Sequence, residues 1–136
     1  MLPARVTHRK QQTRRNKSGH VAQTCNSLAF GDFGIQALEE GRITARQIEA
    51  ARVAAGHYLG KNGKLWIRVF PHRPITKHPA ESRMGSGKGD VDYWATWIDP
   101  GTVMFELAGV TEEMAREAMR RQAHKLPLAT RLVKRS

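Results

Sequence analysis

Ile43-Thr44-Ala45-Arg46-Gln47-Ile48 and, a short gap further on, Leu65-Trp66-Ile67-Arg68-Val69-Phe70 set a helix beside a strand. Thr44 and Gln47 stand three apart, the spacing at which a threonine hydroxyl and a glutamine amide satisfy orphan N–H groups at a helix start. Ile43 and Ile48 fall at the staple positions on either side of that cap. Ile48, Ala51, Ala55 and Leu59 then recur at helical spacing, and Gly60 follows as a stop. Gly56 weakens the helix by ~1 kcal/mol relative to alanine. In the second stretch Leu65, Ile67 and Val69 alternate with Trp66, Arg68 and Phe70, the two-residue period of a strand, until Pro71 ends it.

Outward from this pair, Val21–Phe30 and Phe33–Leu38 read as short strands around the turn Gly31-Asp32-Phe33-Gly34. The segment from Pro71 to Pro79 holds three prolines and two histidines and reads as an irregular connection. Val91–Ile98 and Thr102–Ala108 flank Asp99-Pro100-Gly101, whose residues suit a tight turn, so the two predict a long β-hairpin with Val103, Phe105 and Leu107 on its core face. Thr111 caps a second helix, with Glu112 and Glu113 where the helix dipole favours negative charge. Glu112–Arg116 and Glu117–Arg121 are i,i+4 pairs of favourable polarity. Pro127 breaks the pattern, and Arg131-Leu132-Val133 predicts a last strand. Helices and strands mix without a βαβ rhythm, which predicts an α+β fold.

The 136 residues suffice for one domain with a modest core and a tail. Lys and Arg number 23 against 12 acids, a net charge of +11 that repels itself and calls for an anionic partner, nucleic acid or membrane. Arg outnumbers Lys 15 to 8, which leans toward bidentate phosphate and base contacts. Residues 1–20 carry Arg5, Arg9, Lys10, Arg14, Arg15 and Lys17 with no acid, and read as a basic arm that orders on nucleic acid, ahead of a single domain at 21–136. An Arg-rich, acid-free start also fits a transit peptide, but serine is sparse and no amphipathic period appears. No apolar run is long enough to span a membrane. Cys25 is a single cysteine, so no intrachain disulfide forms and a reducing compartment is expected.

Arg83-Met84-Gly85-Ser86-Gly87-Lys88-Gly89 is the stretch with the most chemistry in it. Its glycines permit close backbone approach, Arg83 offers a planar fork and Lys88 a point charge. A phosphate-binding P-loop needs a glycine at position 82, where Ser82 stands, and a Ser or Thr after the lysine, where Gly89 stands. The evenly spaced glycines also miss the dinucleotide fingerprint. The six histidines are scattered and no metal-ligand spacing occurs. Cys25 has no evident base and reads as a buried thiol. Asp90 and Asp92 share a strand face and read as surface acids pairing with Lys88 or Arg83. Trp66, Trp94 and Trp97 each read as packing residues, with base stacking beside Arg68 or the glycine loop as the alternative.

Together these motifs resemble a known family. Arg83–Gly89 followed by Trp94 is similar to the signature of bacterial large-subunit ribosomal protein L-sixteen, and Gly63–Pro71 resembles its second signature. Thr44–Arg52 resembles the family's first helix, and Phe30-Gly31, Phe33-Gly34 and Ala115–Ala118 also fit. The similarity runs from the start to the end of the chain, includes the basic arm, and so speaks against a transit peptide. The resemblance implies a hammerhead-type fold with two helices on a mainly antiparallel sheet. It also implies binding to large-subunit rRNA near the peptidyl-transferase region, contact with other large-subunit proteins, and help in positioning A-site tRNA, with P-site tRNA as a second candidate. The implied contacts are Arg5, Arg9, Lys10, Arg14, Arg15, Lys17, Lys64, Arg68, Arg83, Met84, Gly85, Ser86, Gly87, Lys88 and Gly89. No catalytic residue, metal or cofactor is implied, and the expected location is the cytoplasmic ribosome. This chain departs from the family at Gly60-Lys61 and at Val53–Tyr58, where relatives are more cationic. The rival readings are a small phosphate- or nucleotide-handling enzyme built on Arg83 and Lys88, and a general basic DNA-binding protein.

Overall fold

The computed structural model describes residues 2–11, 21–77, 85 and 87–135. Its elements are β1 (Phe33–Ala37), β2 (Gly41–Thr44), α1 (Ala45–Leu59), β3 (Lys64–Ile67), β4 (Arg73–Lys77), β5 (Asp90–Ile98), β6 (Val103–Ala108), α2 (Glu112–Ala123) and β7 (Thr130–Lys134). The class is α+β, as the sequence predicts, but the strands form two antiparallel sheets in place of one. The larger has the order β3-β6-β1-β7 and the smaller β2-β5-β4.

Helix α1 begins as its sequence dictates. The Gln47 N–H donates to Thr44 Oγ1 at 3.2 Å and the Thr44 N–H to Gln47 Oε1 at 2.9 Å, a closed capping box. Ile43 and Ile48 are both fully buried beside it. Thr44→Ala opens the box and leaves the Gln47 N–H without its acceptor, for an expected loss of ~1 kcal/mol in equilibrium urea unfolding. An unchanged midpoint would show that the cap contributes nothing here.

Ile48, Ala51, Ala55 and Leu59 of α1 and Ala115, Ala118 and Met119 of α2 share one core with Ile35, Ala37, Phe105 and Leu107 of the larger sheet. Alanines dominate the helical side, so the helices approach closely. Strand β6 is central and is buried from Val103 to Leu107, Glu106 included. Thr111 caps α2 by accepting the Met114 N–H.

Four expectations are corrected. Val21–Phe30 forms no strand: Cys25 lies at φ 55°, and the N–H groups of Ala29, Phe30 and Gly31 go to the Glu106 side chain, not to a ladder. Strand β3 stops at Ile67, short of Phe70. Residues 73–77 form strand β4 where an irregular connection was expected. The ladder tolerates Pro74 because β4 is an edge strand, where a missing N–H costs no bond. Finally, β5 and β6 make no hairpin. The turn exists, with the Thr102 N–H donating to the Asp99 carbonyl at 3.2 Å, but it hands the chain from the small sheet to the large one. Beyond it β6 pairs with β1 and β3, while β5 pairs with β2 and β4. Residues Arg14, Arg15, Lys17, Arg83, Met84 and Ser86, and with them much of the expected arm, lie outside the described residues.

Candidate nucleic-acid interface

Unpaired positive charge is unevenly spread over the surface. On α2, Arg116 pairs with Glu112 at 2.8 Å, Arg120 and Arg121 pair with Glu117 at 2.7 and 3.1 Å, and Lys134 of β7 reaches Glu112 at 3.1 Å. The two arginines hold the Glu117 carboxyl down to about 2. On α1, Arg52 pairs with Glu49. The helix surfaces are therefore close to internally neutralised, and exposed pairs of this kind contribute little to stability. Among the described residues no carboxylate pairs with Arg5, Arg9, Lys10, Lys64 or Lys88, and all five are exposed.

The fold brings two of the expected contact regions together. Lys10 Nζ donates to the Lys88 carbonyl at 3.1 Å, and Lys88 Nζ donates back to the Gln11 carbonyl. These residues are 78 positions apart for the first bond and 77 for the second. These two bonds tie the chain's start to the segment around Lys88. Gly85 and Gly87 have φ of 108° and 88°, a backbone region that side chains rarely adopt, and open space surrounds both. Glycine is the residue type that adopts this backbone region without strain. Gln11 and Lys88 also line a groove with Arg73 and Trp97. On the small sheet, Arg42 lies over the rings of Tyr93 and Trp97, at 5.6 and 5.5 Å.

Lys64 and Arg68 belong to a second cluster, at the edge of the large sheet. Lys64 Nζ stands 5.1 Å from the centre of the Trp66 ring. Trp66 stacks on Phe30 with ring centres 5.9 Å apart and an interplanar angle of 21°. The Arg68 guanidinium lies 5.4 Å from the Phe30 ring centre. Underneath, the fully buried Glu106 carboxylate fixes the arrangement. Its Oε1 accepts the N–H groups of Ala29, Phe30 and Gly31 at 2.9, 3.0 and 3.0 Å, and its Oε2 accepts Arg68 Nη1 at 2.5 Å. Burial pushes the Glu106 carboxyl up, but the Gly31 N–H, the Arg68 guanidinium and the other two N–H groups outweigh it and hold the group below its ordinary value. Arg68 is accordingly committed inward, to Glu106 and to the Ser27 carbonyl, while Lys64 points its charge at the surface. A cleft of about 520 Å³ is lined by Cys25, Arg68, Phe70, His72 and Trp97 among others. The Cys25 thiol is half-buried against the Val103 carbonyl, at 3.4 Å.

Sequence reasoning missed Glu106, Phe30, Arg42 and Tyr93. A trace of Glu106 was visible: it is the single acid in the otherwise apolar run Val103–Ala108, and a carboxylate in such a run is buried only if it is paired. Among the described residues no group of three or more His, Cys, Asp or Glu side chains is arranged to hold a metal, and no helix is long and apolar enough to cross a membrane.

Residues 3–133 match the family model described as ribosomal protein L16p/L10e. The large ribosomal subunit protein uL16 of Cutibacterium acnes is 55% identical over 135 residues, covering 99% of this chain and 96% of that protein. The chain belongs to the ribosomal protein L16p/L10e family.

Proposed function

We propose that this chain is a structural, non-enzymatic component of the large ribosomal subunit, working on the cytoplasmic ribosome alongside other large-subunit proteins. It binds large-subunit rRNA beside the peptidyl-transferase region and helps to hold A-site tRNA. Family membership supports the coarse part of this reading. The observation that carries the finer part is the joining of Lys10 and Gln11 to Lys88, which makes one exposed cationic element out of the chain's start and its glycine loop. Cations so placed neutralise phosphates, and the bare glycine backbone lets RNA come close. Arg5, Arg9, Arg14, Arg15, Lys17, Lys64 and Arg83 extend the same charge in this reading. Met84, Gly85, Ser86, Gly87 and Gly89 supply backbone shape, and Arg68 acts from below by ordering the Phe30 loop.

Large subunits carrying the double variant Lys10→Ala/Lys88→Ala test the tRNA part. A charge-assisted hydrogen bond contributes ~1.5–3 kcal/mol, so A-site tRNA binding is expected to weaken about tenfold or more, with the chain still present in the subunit. Unchanged A-site affinity at full occupancy would remove the tRNA role and leave the rRNA role standing.

A further inference from the structure

Phe30 is 58% exposed, and the fold makes an unusual investment to keep it there. A large aromatic ring left in water gains nothing from burial, yet three backbone N–H groups around it are fixed by one buried carboxylate. Gly31 reinforces the constraint: a Cβ at this position would sit 2.5 Å from the Leu107 carbonyl oxygen, so only glycine lets the loop lie this close to β6. The ring is stacked on Trp66 and flanked by Lys64 and Arg68, so aromatic faces and cations alternate along the sheet edge. Flat, rigid rings interleaved with positive charge match a ligand that is itself flat and carries a negative charge nearby.

We infer that Phe30 and Trp66 form a stacking platform for one unpaired RNA base, which continues the stack from the exposed Phe30 ring while Lys64 meets an adjoining phosphate. The occupant is RNA and not a protein segment because the groups flanking the two rings, Lys64 and Arg68, are cations, and the Glu106 carboxylate beneath them is buried and paired with Arg68. Pre-fixing the ring means that binding the base does not have to order the loop. Recognition at such a site is of the base's π face, so it tolerates sequence change and selects unstacked nucleotides. This rests on the rRNA-binding reading above and adds to it a contact type and a place.

The test is ultraviolet crosslinking of intact large subunits carrying the full chain, followed by mass spectrometry of its peptides. A stacked base is expected to leave a covalent nucleotide adduct on the peptide that holds residue 30 or residue 66. Phe30→Ala should lower the adduct yield about tenfold or more, since losing a base–aromatic stack costs local affinity of that order. Phe30→Tyr, which keeps the π face, should retain the yield. The amount of chain per subunit should stay within about twofold in both variants, because many phosphate contacts remain. Normal occupancy with unmodified peptides, or with residue 30 joined to a neighbouring protein, would overturn the platform while leaving rRNA binding intact. A wild-type chain absent from the subunits would overturn both readings.

Discussion

Glu106→Ala is expected to destabilise the fold by ~3–5 kcal/mol, because it removes one partner of a buried ion pair and leaves the other uncompensated. Glu106 is fully buried, whereas the Arg68 side chain retains 19% exposure, so water recovers part of the arginine's loss. Three N–H groups lose their acceptor in the same step, and each orphaned donor carries its own desolvation cost. Against a total stability of about 5–15 kcal/mol this is a large fraction. Glu106→Gln keeps an acceptor for the N–H groups and discards the ion pair, and should fall between the two. Denaturant unfolding checks both, and a loss below about 1 kcal/mol for the alanine variant would show that the carboxylate does not organise this region.

The same group sets a pH dependence whose sign follows from its shift. The folded-state value of Glu106 is lowered, so its stabilising contribution is complete above the unfolded carboxyl value of ~4.3 and is lost as pH falls through the folded value. Glu49, Glu112 and Glu117 on the helices shift in the same direction, so the wild-type profile alone is composite. The difference between wild type and Glu106→Gln isolates the buried group. That difference should be constant near neutrality and shrink on acidification below about pH 4.

What was legible in the sequence was what depends on near neighbours. The cap at Thr44 and Gln47 needs two side chains three positions apart, and it forms as written. Thr111, the α2 ion pairs and the last strand are equally local. The failures share the opposite property. Asp99-Pro100-Gly101 turns the chain in the same way whether the flanking strands pair or part, and their divergence is decided by β1 and β3 claiming the two edges of β6. Pro74 argues against a strand only while the strand is taken as central, and edge position is a property of the whole sheet. Val21–Phe30 has the apolar content of a strand, but the Ala29 and Phe30 N–H groups at its end are taken by a carboxylate 77 and 76 residues away. The interface divides along the same line. The cationic and glycine residues could be named from sequence, while their assembly could not, because Lys10 meets Lys88 only in the fold. Nor could Arg68's inward commitment be read from its neighbours: its partner Glu106 is 38 residues distant.

The second large effect is on RNA affinity. With 23 cationic side chains against 12 acidic ones, the surplus is densest in the chain's first 20 residues, which carry six cations and no acid. Each phosphate neutralised releases condensed counterions, so the logarithm of affinity falls linearly with the logarithm of salt concentration, by about 0.7–0.9 per contact. For about eight contacts the expected loss between 50 and 200 mM salt is about a thousandfold or more. Removing Lys10 and Lys88 together should flatten the slope by about one unit per cation, whereas a variant on neutralised α2, such as Arg116→Ala, should leave it unchanged.

That salt titration, run with the full chain and isolated large-subunit rRNA, tests most directly whether phosphate neutralisation by the unpaired cations is what binds this protein to its partner. A steep decline that flattens when Lys10 and Lys88 are removed is the predicted result. An affinity that stays level across the range, or a slope indifferent to those two lysines, would contradict it.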